Sequence, residues 1–313
     1  MAHVGHYALL ALVWLVLASG CTRLAGPGQT PIKAETRAQL QEILKEQTPD
    51  LELFRLRGPF PVTVHKNHEI RLSPTERISA DLYLSAPPGT APLVILMHGY
   101  DSSKEAHGNQ AMHLASWGLH SLSVQLPRRG PWIGNGRTLA RIVSFIQRTP
   151  EVLDKRIDVN KIILVGHSFG AASVATALGE GAPALGAILL DPAYRDKGIP
   201  KFLQQIRKPV MVIGADDSEY QARNRDDFYG YIRTGVAEVS ITDAAHEDAQ
   251  YPSEFALHNG GKDPHSSEEL QLTFVSALTA AALSLSSTGT FDYAWSSFGV
   301  FINSGRLFNP RKK

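Results

Sequence analysis

From residue 93 onward the chain alternates short, almost wholly apolar runs with stretches of helical periodicity, and few folds accommodate that pattern. A strand that is apolar along its whole length must be buried on both faces. A parallel sheet covered on each side by crossover helices provides that burial. The predicted strands are 93–97, 120–125, 162–165, 187–190, 210–213 and 237–241, the last in the order. Helical spacing marks 105–117, 135–147, 169–178 and a final helix near 268–283. Upstream, 61–64, 69–72 and 78–84 are short alternating or β-branched stretches broken by turn residues, which predicts an antiparallel group at the first edge of the sheet. The whole reads as an α/β domain over 51–313, and 313 residues with 43% hydrophobic content suffice for one large core. Residues 191–209 are too few to hold a large cap domain, so an open cleft with little or no lid is expected.

Within that framework one motif carries chemistry. Gly166-His167-Ser168-Phe169-Gly170 directly follows a predicted strand and directly precedes a predicted helix, the setting a nucleophile elbow requires. Small residues let the backbone turn sharply and hold Ser168 out, and the start of the helix aims backbone N–H groups at the reacting oxygen. A serine hydroxyl is a weak nucleophile until a base takes its proton. His246, in Asp243-Ala244-Ala245-His246-Glu247-Asp248 just beyond the last predicted strand, is placed to be that base. Two strand ends offer an acid to orient it, Asp191 before Pro192 and the pair Asp216 and Asp217, and chain order permits all three. Each also has an ordinary use, as a turn cap or a helix N-cap. The oxyanion needs two donors, expected from the backbone N–H groups of Phe169 and of Tyr100, which follows His98-Gly99 at the end of strand 93–97. Tyr100 and Trp132 are candidates to line the substrate pocket; simple packing beneath a Pro-Gly loop would equally explain Trp132.

These motifs, over roughly residues 91–285, resemble the serine esterases of the α/β-hydrolase superfamily. The resemblance implies the α/β-hydrolase fold and cleavage of carboxylic esters, esterase- or lipase-like, through a Ser-His-Asp triad and an acyl-enzyme. The stretch 166–171, Leu190-Asp191 and Ser218-Glu219-Tyr220 are similar to platelet-activating-factor acetylhydrolases, whose acid follows the earlier strand; Asp191-Pro192 also resembles the acid site of chlorophyllases. Leu114-Ala115-Ser116-Trp117-Gly118 and Gly136-Arg137-Thr138-Leu139 instead resemble cutinase-like polyester hydrolases, whose acid follows the later strand, where this chain has Ser218. Asp191 is therefore the expected acid, with Asp217 or Asp216 as the alternative. The substrate class is a small-molecule, lipid or polyester ester. An amidase or peptidase on the same fold and a noncatalytic surface lipoprotein are the rival readings; the intact Ser168 and His246 speak for catalysis.

The first 21 residues read apart from this domain. An apolar run over 7–18 is too short to span a bilayer comfortably and suits a signal peptide. Leu17-Ala18-Ser19-Gly20-Cys21 resembles the lipobox of bacterial lipoproteins, which implies lipidation of Cys21, the only cysteine, and attachment to a membrane through that anchor. With Thr22 after the cysteine, the resemblance implies an outer-membrane location in a Gram-negative source, and otherwise secretion. Residues 22–50 read as a tether and a leading helix over 35–46. Lys plus Arg is 31 against 30 for Asp plus Glu, so no basic excess exists to collect nucleic acid. There is no H-E-x-x-H, paired cysteine, P-loop or EF-hand pattern, and His107 and His113 do not share a helical face; no metal and no cofactor are implied.

Overall fold

A computed structural model describes residues 50–216 and 219–313. The proposed signal segment, Cys21, the tether, the 35–46 helix and Asp217 lie outside the described residues.

Among the described residues nine strands form one sheet in the order β1-β2-β4-β3-β5-β6-β7-β8-β9. The parallel centre is β3 (Ala91–Met97), β4 (His120–Val124), β5 (Ile157–His167), β6 (Gly186–Leu190), β7 (Val210–Ala215) and β8 (Val236–Ile241). Every residue of β4, β6, β7 and β8 is buried, as two covered faces demand. Alternation along each strand sorts the side chains between two cores. Leu93, Ile95, Leu164, Leu189 and Val212 face one side with α3 (Trp132–Arg148), α4 (Phe169–Gly179), α5 (Ile199–Gln205) and Phe228 of α6 (Glu219–Tyr231). Val94, Leu96, Val165, Leu190 and Ile213 face the other, with α1 (Leu51–Arg55), α2 (Gly108–Ser116) and α8 (Glu268–Thr288). The 21-residue α8 is apolar and long enough to cross a membrane, yet 78% of its most apolar window is buried, the environment of a core helix.

The structure corrects the expected outline at four places. The segments 61–64 and 69–72 are one strand, β1 (Val62–Arg71), paired antiparallel with β2 (Arg77–Ser85). Its pattern breaks because Lys66 and Asn67 together oppose Asp81, a bulge in which Asn67 takes φ 54°. Asp81 holds the bulge, accepting from Asn67 N at 2.9 Å, Lys66 Nζ at 2.6 Å and Lys104 Nζ at 2.8 Å. Burial pushes the Asp81 carboxyl up, but the two ammonium groups outweigh it and leave it below its usual value. Second, β8 is not the last strand: β9 (Leu307–Lys312) adds antiparallel beyond it. Asn309, Pro310 and its basic residues hid it, and proline is tolerated there because the strand is an edge. Third, α6 between β7 and β8 was not anticipated; Arg-Asp-rich and only weakly apolar, it has little periodic signal. Fourth, α8 is not the final helix, since the short helices Asp292–Ser297 and Gly299–Asn303 follow it. The expected lack of a cap holds between β6 and β7, where only the short α5 intervenes.

Candidate active site

Strand β5 ends at His167 and α4 begins at Phe169, so Ser168 sits in the turn between them. It takes φ 54° and ψ −127°, a region that costs a non-glycine residue about 1–3 kcal/mol and persists only when the surroundings enforce it. Three backbone hydrogen bonds do so: Ser168 N donates to Leu190 O at 3.1 Å, and its carbonyl accepts from Ala171 N at 3.0 Å and Ala193 N at 3.1 Å. The elbow also presses on β3. A Cβ at Gly170 would lie 2.4 Å from Met97 O, and one at Gly99 would lie 2.8 Å from Ser168 Cβ, so both positions exclude a side chain. Gly99 thereby brings the loop after β3 against the serine.

Asp191 follows β6 and is fully buried, with φ 34°. Its N–H donates to Ile213 O at 2.8 Å, and its Oδ1 accepts from Ala215 N at 2.9 Å, so both ends of the residue are tied to β7. Oδ2 lies 2.5 Å from His246 Nδ1. His246 opens a 3-10 turn, His246–Ala249, after β8. Asp248 shapes that turn, accepting Ala245 N at 2.8 Å and Ser267 N at 2.7 Å. With Nδ1–H donated to a carboxylate, the imidazole keeps its lone pair on Nε2, the tautomer a general base needs. Ser168 and His246 line the same cleft, of about 200 Å³.

The alternative acids stand elsewhere or outside view. Asp216 is exposed and its Oδ2 accepts Asp243 N at 3.2 Å. Strand β7 ends instead over Arg225, whose Nη1 donates to Ala215 O and, at 2.9 Å, to Ser240 Oγ. The Phe169 N–H, first of its helix, and the Tyr100 N–H have no acceptor among the described residues, and Tyr100 lines the cleft. Trp132 takes the packing role that the sequence equally allowed: its ring stacks on Phe169 at 5.4 Å between centroids, while Tyr100 approaches the same ring at 6.2 Å, and of the two candidates for the pocket Tyr100 lines the cleft.

Several lining residues have no sequence motif behind them. Gln250 and Glu254, from the long stretch after β8, meet Ser102 and Ser103 from the loop after β3. Ser102 Oγ accepts from Gln250 Nε2 at 2.8 Å and donates to Glu254 Oε2 at 3.2 Å; Ser103 Oγ donates to the same oxygen at 2.8 Å. Arg128 and His258 reach Glu254 Oε1 at 3.3 and 3.0 Å. The length of the stretch between β8 and α8, without apolar periodicity, was the one available signal. His167 is the other omission. Its Nε2–H donates to His246 O at 3.2 Å, its ring lies 4.6 Å from the His246 ring, and its buried Nδ1 has no partner among the described residues. Burial, and then the neighbouring His246, hold it well below the usual histidine value. It is therefore neutral and puts no competing charge beside His246. Among the described residues no group of three His, Cys, Asp or Glu side chains could hold a metal ion. A larger groove, of about 550 Å³, runs past Arg137, Arg141 and Glu180; it shares no residue with the cleft at Ser168.

Comparison with known proteins places these elements in a family context. The family model described as "Alpha/beta hydrolase family" matches residues 94–288, a span from β3 to the end of α8 that contains Ser168, Asp191 and His246. Compared with curated proteins, the chain has no match.

Proposed function

Since the chain belongs to the alpha/beta hydrolase family, we propose that it is a serine hydrolase of carboxylic esters, with Ser168 as nucleophile, His246 as base and Asp191 as the acid. The observation that carries the reading is the 2.5 Å hydrogen bond from the Nδ1 of His246, which lines the same cleft as Ser168, to a fully buried Asp191 carboxylate. In the proposed reaction Ser168 Oγ attacks the ester carbonyl as His246 Nε2 removes its proton. Asp191 stabilises the imidazolium, and the Phe169 and Tyr100 N–H groups receive the oxyanion. The imidazolium then protonates the departing alcohol, leaving an acyl-enzyme, and a water activated by the same histidine releases the acid.

The purified full chain is expected to hydrolyse short-chain nitrophenyl esters and to be labelled by a fluorophosphonate at Ser168. Ser168→Ala abolishes both. Turnover that survives this substitution would remove the assignment. Esters are favoured over amides because the interval between β6 and β7 leaves no large cap to enclose a peptide. We place the enzyme in the cell envelope, exported by residues 1–21 and anchored through Cys21, on the strength of the lipobox-like stretch ending at that residue.

A further inference from the structure

We propose that the cleft selects esters carrying a positive charge close to the scissile bond, and that Glu247 is the residue that selects them; this rests on the ester-hydrolase reading above. Among the described residues, and apart from its histidines, the ionisable acidic or basic residues lining the cleft are Glu247 and Glu254, and no lysine or arginine lines it. The two differ in what they already do. Glu254 is 19% exposed and engaged by Ser102, Ser103, Arg128 and His258, so its charge is shared out within the protein. Glu247, one residue beyond His246 and half-buried, makes no side-chain hydrogen bond or ion pair with any described residue. The nearby cations are occupied: Arg128 by Glu254 and by the Asp101 carbonyl, Arg129 by the Asp101 carboxylate at 3.1 Å.

Two aromatic rings complete the arrangement. Tyr100 is 54% and Phe255 46% exposed, among the most solvent-open large hydrophobic side chains described, and both line this same cleft. Exposed aromatic faces beside an uncompensated carboxylate form the chemistry that recognises an alkylammonium group. An anionic substrate would meet Glu247 with no lysine or arginine, among the described residues, lining the cleft to offset it.

The test compares three acetates that share one reacting carbonyl: acetylcholine, its uncharged isostere 3,3-dimethylbutyl acetate, and the anionic 3-sulfopropyl acetate. The wild-type full chain is expected to show a kcat/KM for the cation about tenfold above the neutral ester, the anion being the poorest. In Glu247→Gln the cation-to-neutral ratio falls about fivefold, and in Glu247→Lys the order of the two charged esters reverses. In the wild type, raising salt from 0.05 to about 0.5 M shrinks the ratio, because a half-exposed charge pair is screened; this measurement decides if the variants do not fold. A wild-type ratio near one, or a ratio that Glu247→Gln leaves unchanged, overturns the selection by Glu247. If the neutral ester is then still cleaved, in a manner lost with Ser168→Ala, the ester-hydrolase reading stands. Cleavage of none of the three removes both.

Discussion

Mild acid should destabilise this protein well before its carboxylates titrate, because it buries histidines in the neutral form. His107 and His113 are both pushed down to about 4, chiefly by burial. His107 Nδ1 donates to Gln110 Oε1 at 2.6 Å and its Nε2 is buried without a partner among the described residues; His113 Nε2 donates to Phe54 O at 2.8 Å. In the unfolded chain each returns to about 6.5. Between those values the unfolded state binds protons that the folded state refuses, so stability falls as pH falls through 6.5 and continues falling until about 4. Lowering the pH from 7 to 5 costs about 2 kcal/mol for each, or about 4 kcal/mol for the pair. That is a large share of a typical total of about 5–15 kcal/mol. His98, His120 and His167 are shifted in the same direction and add to the loss. Asp154, held at about 2 chiefly by its hydrogen bond from Arg156, acts only in a lower window: its contribution is present above the ordinary carboxyl value and is lost as pH falls towards 2. Urea midpoints at pH 7 and pH 5, at matched ionic strength, read the effect. His113→Gln, which keeps a donor for Phe54 O, should start less stable at pH 7 but show a slope smaller by about 2 kcal/mol over the interval. Equal midpoints at the two pH values, or an undiminished slope in the variant, would refute the argument.

Two further outcomes follow from the site and the N-terminus. Asp191→Asn should lower kcat by about ten-thousandfold with little change in fold, whereas Asp216→Asn, at an exposed carboxylate that accepts the Asp243 N–H, should retain most activity; a fully active Asp191→Asn enzyme would return the acid to the end of β7. In a Gram-negative host, Cys21→Ser should move the protein from the membrane fraction to the soluble fraction and stop incorporation of labelled palmitate, and membrane retention without a label would argue against the anchor.

The central sheet was legible where burial on both faces is met by unbroken apolar runs: β6 and β7, with no charged or hydroxyl side chain in them, were placed to within two residues. Ser168 was legible for a related reason, since only a strand running straight into a helix gives its motif meaning. Elements whose hydrogen bonds or ion pairs replace apolar contacts were not. The β1 bulge depends on Asp81 gathering Lys66 and Lys104, and β9 carries Asn309, Pro310 and Arg311 because one of its edges faces solvent. The cleft wall was hidden as well. Ser102, Gln250 and Glu254 come together only when the loop after β3 meets the segment beyond β8, a contact between stretches 148 residues apart in the case of Ser102 and Gln250. The proposed acid was the intermediate case: chain order admitted Asp191, Asp216 and Asp217 alike, and of the two described carboxylates Asp191 is the one turned towards His246 while Asp216 accepts Asp243 N.

The manner in which Asp191 is supported bears on how the protein withstands genetic change. Its Oδ1 is held by the main-chain amide of Ala215, a group supplied by the pairing of β6 with β7. Every residue except proline carries that amide, so a codon change at 215 alters the side chain and leaves the donor in place. The wall formed by Ser102, Gln250 and Glu254 depends on three side chains, any of which a single nucleotide substitution can delete. The support of Asp191 is inherited with the fold, while the shape of the cleft is inherited residue by residue, and drift should rewrite the second long before it reaches the first.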